Sequence, residues 1–151
     1  MKVLCVASNE EYIGIIKHSC EKYKCDVFFM KDLLENSFND ENYSIIFIEA
    51  NKTTPDFILK LRDIVLTHPL SDVLLLMKEC NFEASLKAMR IGIKNILVGL
   101  EINKGNINEI IKQAVEQKSD VDPQREINTK YFQRIQIIRK AVRTQQHFIA
   151  F

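Results

Sequence analysis

The sequence predicts an α/β domain: a parallel sheet of five strands with helices on both faces, followed by a helical extension. Three observations carry this. Short apolar runs alternate strictly with segments whose apolar residues recur every three to four positions. Parallel neighbours need a crossover of about a dozen residues or more, and each successive pair of runs leaves room for one. One central run is so continuously apolar that both of its faces must be buried.

The elements follow in order. Lys2–Ala7 (KVLCVA) reads as a first strand. Glu10–Tyr23 places Tyr12, Ile13, Ile16 and Cys20 at helical spacing, with Glu10 and Glu11 in the first turn, where acids offset the helix dipole. Asp26–Met30 (DVFFM) is a second strand, and Asp32–Asn42 is either a short helix or a loop. Tyr43–Glu49 (YSIIFIE) is the continuous run. Asp56–Leu66 is a helix with Phe57, Ile58, Leu61, Ile64 and Val65 to one side, and Pro55 suits its first turn. Asp72–Met77 (DVLLLM) is a fourth strand. Phe82–Arg90 is a helix whose end is marked by Gly92. Asn95–Val98 is a fifth strand, and Asn106–Gln117 is a final amphipathic helix with Ile107, Ile110, Ile111 and Val115.

Residues 118–130 are polar and contain Pro123, as a linker or helix start would. Beyond them Ile127, Tyr131, Ile135, Ile138 and Val142 are spaced four, four, three and four apart, a narrow apolar seam. Six basic residues and one acid lie between Arg125 and Arg143. The segment reads as an ordinary surface helix with a basic outer face, as a dimerising helix along that seam, or as a helix lying on a membrane surface. The chain then reads QHFIAF to Phe151, like the beginning of a strand. The organisation is therefore a sheet domain over 1–117, a linker and amphipathic helix over 118–146, and a strand start over 147–151.

Composition excludes several classes. With 46% hydrophobic and 27% charged residues, the 151-residue chain can bury a core and stay soluble. A net charge of +1 gives no overall pull toward nucleic acid. No apolar run is long enough to span a membrane, and the amino terminus does not read as a signal peptide. Cys5, Cys20, Cys25 and Cys80 form no CxxC pair, three of them sit inside apolar segments, and they read as reduced core thiols of a cytoplasmic protein. His18, His68 and His147 lack metal-ligand spacing. No GxGxxG or GxxxxGK[ST] is present, and 99–105 lacks the composition of a phosphate-binding loop. No catalytic residue, metal or cofactor is expected in this segment.

In an open parallel sheet, function gathers at the carboxyl ends of the strands. Those ends carry Ala7, Ser8 and Asn9; Glu49, Ala50 and Asn51; Met77 and Lys78; Gly99 and Leu100. The layout over 1–117, together with KAMRIGIKNILVGL (Lys87–Leu100), resembles the flavodoxin-like receiver domain of bacterial response regulators, whose corresponding stretch reads KAGADDYLxKP. That family places two adjacent acids for Mg²⁺ after the first strand, where this chain has Ala7 and Ser8. Its phosphoacceptor Asp is matched by Glu49, its Thr or Ser by Met77, its Lys by Gly99, the following Pro by Leu100, and its aromatic switch residue by Ile96. The resemblance thus implies a receiver whose phosphorylation site has been lost. Glu49 is then a solvated acid at a strand end, or a permanent mimic of a phosphorylated Asp; a true phosphoacceptor needs neighbouring acids and a Lys that are missing here.

A degenerate receiver, a helical linker and an apolar strand together resemble the TadZ/CpaE-type proteins of Tad pilus assembly. In that family an atypical receiver precedes an ATPase domain of the ParA/MinD class. The resemblance implies a pseudo-receiver for protein–protein contact, homodimerisation and targeting, with recruitment to the cell pole or inner-membrane surface, and pilus-assembly or polar-localisation proteins as partners. ATP and Mg²⁺ would belong to a domain after Phe151. The expected contact surfaces are the face formed by residues 82–90, 95–98 and 106–117, and the seam helix. The alternative is a degenerate receiver that controls a DNA-binding or nucleotide-cyclase output domain.

Overall fold

The computed structural model describes residues 1–33 and 42–120, with side chains to Gln117. It contains β1 (Lys2–Val6), α1 (Glu10–Lys22), β2 (Asp26–Met30), β3 (Ile45–Glu49), α2 (Pro55–Thr67), β4 (Asp72–Met77), α3 (Phe82–Arg90), β5 (Asn95–Val98), a 3₁₀ turn (Gly99–Glu101) and α4 (Lys104–Asp120). The seam residues, most of the linker and the terminal run lie outside the described residues, as does most of Asp32–Asn42. α4 continues three residues past the Gln117 expected from the sequence and begins two residues earlier.

All strand pairs are parallel, in the order β2-β1-β3-β4-β5. Alternation along the strands divides the core into two layers. Leu4, Val6, Ile46, Ile48, Val73, Leu75 and Met77 pack with Phe57, Leu61 and Ile64 of α2 and Ala84 and Ala88 of α3. Val3, Cys5, Ile45, Phe47, Leu74, Leu76 and Leu97 pack with Tyr12, Ile16 and Cys20 of α1 and Ile107 and Ile111 of α4. Every residue of β3 is buried, as its unbroken apolar run requires.

The helices start where a side chain can satisfy their free N–H groups. Asn9 Oδ1 accepts from the N–H groups of Glu11 and Tyr12, at 2.9 and 3.3 Å. Thr54 Oγ1 accepts from Phe57 N–H, with Pro55 in the first turn. Asn81 Oδ1 accepts from Ala84 N–H. Gly92 follows α3 with φ +102°, and a Cβ there would lie 3.2 Å from Val65 Cγ1. A left-handed backbone and a close approach to α2 both favour glycine at this position.

Candidate functional site

The site is built where β1 and β3 end. Glu49, the last residue of β3, is buried. It shares strand parity with Ile45 and Phe47, so its side chain falls on the α1 and α4 side of the sheet. There its carboxylate meets the turn into α1. Oε1 accepts from Ser8 N–H at 3.3 Å, Ser8 Oγ at 3.1 Å and Asn9 N–H at 3.3 Å. Oε2 accepts from the same Asn9 N–H at 3.3 Å. Asn51 Nδ2 donates to Ser8 Oγ at 3.3 Å, so a second residue beyond β3 holds the hydroxyl in place.

This overturns the reading of Glu49 as a solvated acid. The carboxylate is turned inward because the N-terminal end of α1 offers it N–H groups and a favourable dipole. Its charge is felt nearby. Burial, then Glu49 and Glu11, raise the phenol of Tyr12 above its ordinary value.

Of the strand-end positions, Ser8, Asn9 and Asn51 join Glu49 in this cluster, whereas Ala7, Met77 and Gly99 do not. Ala7 is buried in the α1 and α4 layer, and its N–H donates to Met30 O. Met77 belongs to the opposite layer, under α3, where its sulfur accepts from Ser85 Oγ at 3.6 Å. Gly99 opens the 3₁₀ turn with φ +59°. Asn9 and Asn51 are the partners that strand-end reasoning named without assigning a role. The signal for Asn9 was its place just before an acidic first turn, where a capping residue belongs.

Among the described residues, no group of three or more His, Cys, Asp or Glu could hold a metal ion. Lys87 pairs with Glu83 and Lys94 with Asp72, and neither pair involves Glu49. An open groove of about 810 Å³ lies between the start of α1 and the start of α4. Glu10, Glu11, His18, Lys78 and Lys104 line it with mixed charge, and Glu49 does not. No described helix is long and apolar enough to cross a membrane.

The thiols divide by depth. Cys5 and Cys20 are buried, Cys25 is half-buried, and Cys80 is exposed in the loop after β4, so the expectation of core thiols fails for Cys80. Burial pushes Cys5 up to about 12, with Cys20 and Glu49 adding to it, and pushes Cys20 up to about 12, with Cys25 and Glu21 adding to it. The thiolate is the reactive form, so Cys80 should react fast with Ellman's reagent in the native protein. Cys5 and Cys20 should react only after unfolding in guanidinium. Four fast thiols at pH 8 would contradict this burial pattern.

This arrangement of five parallel strands and flanking helices is the receiver fold of response regulators. A response regulator from Thermotoga maritima matches with TM-score 0.61 and 16% identity, over 76% of this chain and 97% of its own. A Burkholderia thailandensis protein described as a pilus assembly protein (CpaE) matches with TM-score 0.63 and 14% identity, over 78% and 99%. A pilus assembly-related protein of Burkholderia pseudomallei matches with TM-score 0.57 and 13% identity, over 77% and 89%. Identities this low establish the fold alone. No sequence-family model matches the chain, and no curated protein matches it at a significant level.

Proposed function

We propose that this domain is a non-catalytic pseudo-receiver that acts through protein–protein contact as a homodimer, within a TadZ/CpaE-type ATPase of Tad pilus assembly. The observation that carries the non-catalytic part is the engagement of Glu49 by Ser8 and Asn9. Phosphoryl transfer to a carboxylate needs an accessible oxygen, a cation to neutralise charge and a donor for the phosphoryl oxygens. Here the oxygen is occupied from within. The positions that would supply cation ligands and donor are Ala7, Ser8, Met77 and Gly99. Ala7 and Met77 are core residues, and Gly99 has no side chain. The pilus reading draws on the similar pilus-assembly folds and on the order of degenerate receiver, linker and apolar run in the sequence.

In this reading the protein is cytoplasmic and recruited to its site by partners, and any ATP and Mg²⁺ are bound by a domain beyond Phe151. Sequencing past Phe151 separates this from the regulator alternative. A Gly-rich loop ending in Gly-Lys-Thr or Gly-Lys-Ser supports the ATPase, and a helix-turn-helix or cyclase motif supports the regulator.

The non-catalytic claim is tested with beryllofluoride or acetyl phosphate at millimolar Mg²⁺. Amide NMR signals of residues 7–9, 49–51 and 77–80 should stay where they are. Saturable shifts centred on Glu49 would show a working acceptor and overturn the reading.

A further inference from the structure

The sheet has two edges, and they differ. β5 exposes no large apolar side chain, whereas β2 (DVFFM) exposes Phe28 and Phe29, at 39% and 41%, one on each face. Between Asp26 and Lys31 the strand has no charge, proline or glycine. Edges are ordinarily guarded by such residues, because unpaired backbone groups there can take up another strand. β2 pairs with β1 alone among the described residues. This edge lies across the sheet from the contact face expected from the sequence.

The ladder fixes which backbone groups point outward. Asp26 N–H donates to Met1 O at 3.0 Å, and Met30 O accepts from Ala7 N–H at 2.9 Å. In a parallel pair, alternate residues turn both backbone groups to the same neighbour. The even-numbered residues of β2 therefore face β1, and Val27 and Phe29 turn their N–H and C=O away from it.

A second β2 matches this pattern. A two-fold axis normal to the sheet keeps each side chain on its own face and runs the two strands antiparallel. Centred on Phe28, the middle of the strand, it sets Val27 of each copy against Phe29 of the other. These are the residues whose backbone groups point outward, so each couple exchanges both of its hydrogen bonds. Phe28 then meets Phe28 as a non-hydrogen-bonded pair, the closer kind. The Tyr43 ring, edge-on to Phe28 at 5.9 Å between centroids, extends that aromatic contact. The ends match in sign as well. Lys24 and Asp26 of one copy come to Lys31 and Asp32 of the other, whereas parallel strands would set each residue against its own kind.

We propose that β2 is an edge-to-edge interface between two copies of this chain, joining their sheets into one across a two-fold axis at Phe28. The inference rests on the reading of the domain as a homodimeric contact module and names the contact. Each copy has one β2 edge, so association closes at the dimer. Five residues of edge place the contact at the small end of specific interfaces, below about 1,200 Å² in total, and the dimer is a weak one.

Sedimentation equilibrium of the full chain, from low micromolar to near-millimolar concentration, tests it. The wild type should pass from monomer to dimer and no further. Phe29→Pro removes an N–H that β1 does not use. The monomer should stay folded by circular dichroism, while association weakens by about tenfold or more. Phe28→Pro takes a bond from the β1 ladder and should instead lower the unfolding midpoint. A cross-link tests the register without a proline. Phe28→Cys, made together with Cys80→Ser, places two thiols across the axis at a separation a disulfide can span. Oxidised glutathione should then yield a covalent dimer, and Lys17→Cys in the same background, exposed on α1, should yield none. A wild type that stays monomeric overturns the interface and the homodimer reading together. A dimer indifferent to a folded Phe29→Pro, growth beyond the dimer, or no covalent dimer from Phe28→Cys overturns the β2 edge alone and leaves the homodimer reading to other surfaces.

Discussion

Phe47→Ala should lower the free energy of unfolding by about 3–5 kcal/mol, the range for deleting a fully buried aromatic side chain. Phe47 is 0% exposed, in the middle strand of the sheet. Its backbone is fixed on both sides by pairing of β3 with β1 and β4, where Cys5 and Leu74 are its register partners. A hole left there cannot collapse by movement of the strand, so the cavity contribution persists beside the lost transfer energy. Domains of this size have about 5–15 kcal/mol in all, so the variant would be marginal. Guanidinium unfolding should show a much lower midpoint with little change in slope. Phe82→Ala is the control. Its ring is 78% exposed, and its removal should change stability by no more than about 0.5 kcal/mol. Equal losses from the two variants would mean that the core does not lie where β3 places it.

Glu49→Ala should destabilise by about 1–3 kcal/mol, as expected when a charged acceptor is taken from several donors. The lower half of that range is favoured because Ser8 is exposed and Asn9 half-exposed, so water can replace part of the lost bonding. Glu49→Gln keeps an acceptor oxygen and loses only the charge facing the α1 dipole. It should therefore lose less, by about 0.3–1 kcal/mol relative to wild type. The pattern of NMR shifts separates two roles for Glu49. If it ties β3 to the start of α1, shifts concentrate at residues 7–12 and 49–51. If it acts as a permanent phosphoryl mimic, they reach Met77, Gly99 and α3. The bonds to Ser8 and Asn9 point to the first pattern, and a spread into α3 would overturn it.

The sheet was legible because apolar periodicity is a direct imprint of burial. β2, β4, β5 and α3 have the bounds expected from their residues. β3 begins at Ile45 rather than Tyr43, because Tyr43 leaves the ladder to pack its ring against Phe28 and offer its carbonyl to Ser71 Oγ. The start of α4 was hidden by Gly105, a weak helix former that is tolerated in a first turn where Asn103 Oδ1 accepts from Asn106 N–H. The site was legible as a set of strand ends but not as a set of contacts. Parity decides which strand-end side chains can meet. Glu49 follows Ile45 and Phe47 to one layer, whereas Met77 follows Val73 and Leu75 to the other. That much is countable from sequence once the register is known. The inward turn of the Glu49 carboxylate depends on its rotamer and on the path of the chain through Ser8 and Asn9, which periodicity does not encode.

A sheet ordered β2-β1-β3-β4-β5 opens a crevice where β1 and β3 send their chains to opposite sides, and this is where such folds ordinarily seat a ligand. Here the Ser8 hydroxyl, from the end of β1, donates to the Glu49 carboxylate, from the end of β3, at 3.1 Å. Thermodynamic linkage gives this a consequence. A solute raises the melting temperature only by binding the native state better than the unfolded one. On the proposed pseudo-receiver reading, Mg²⁺ and phosphate should therefore leave the melting temperature unchanged, and a concentration-dependent rise would count against that reading. On the same reading, mass action would tune this domain through the concentration of a protein partner, and its stability would report association instead of metabolite supply.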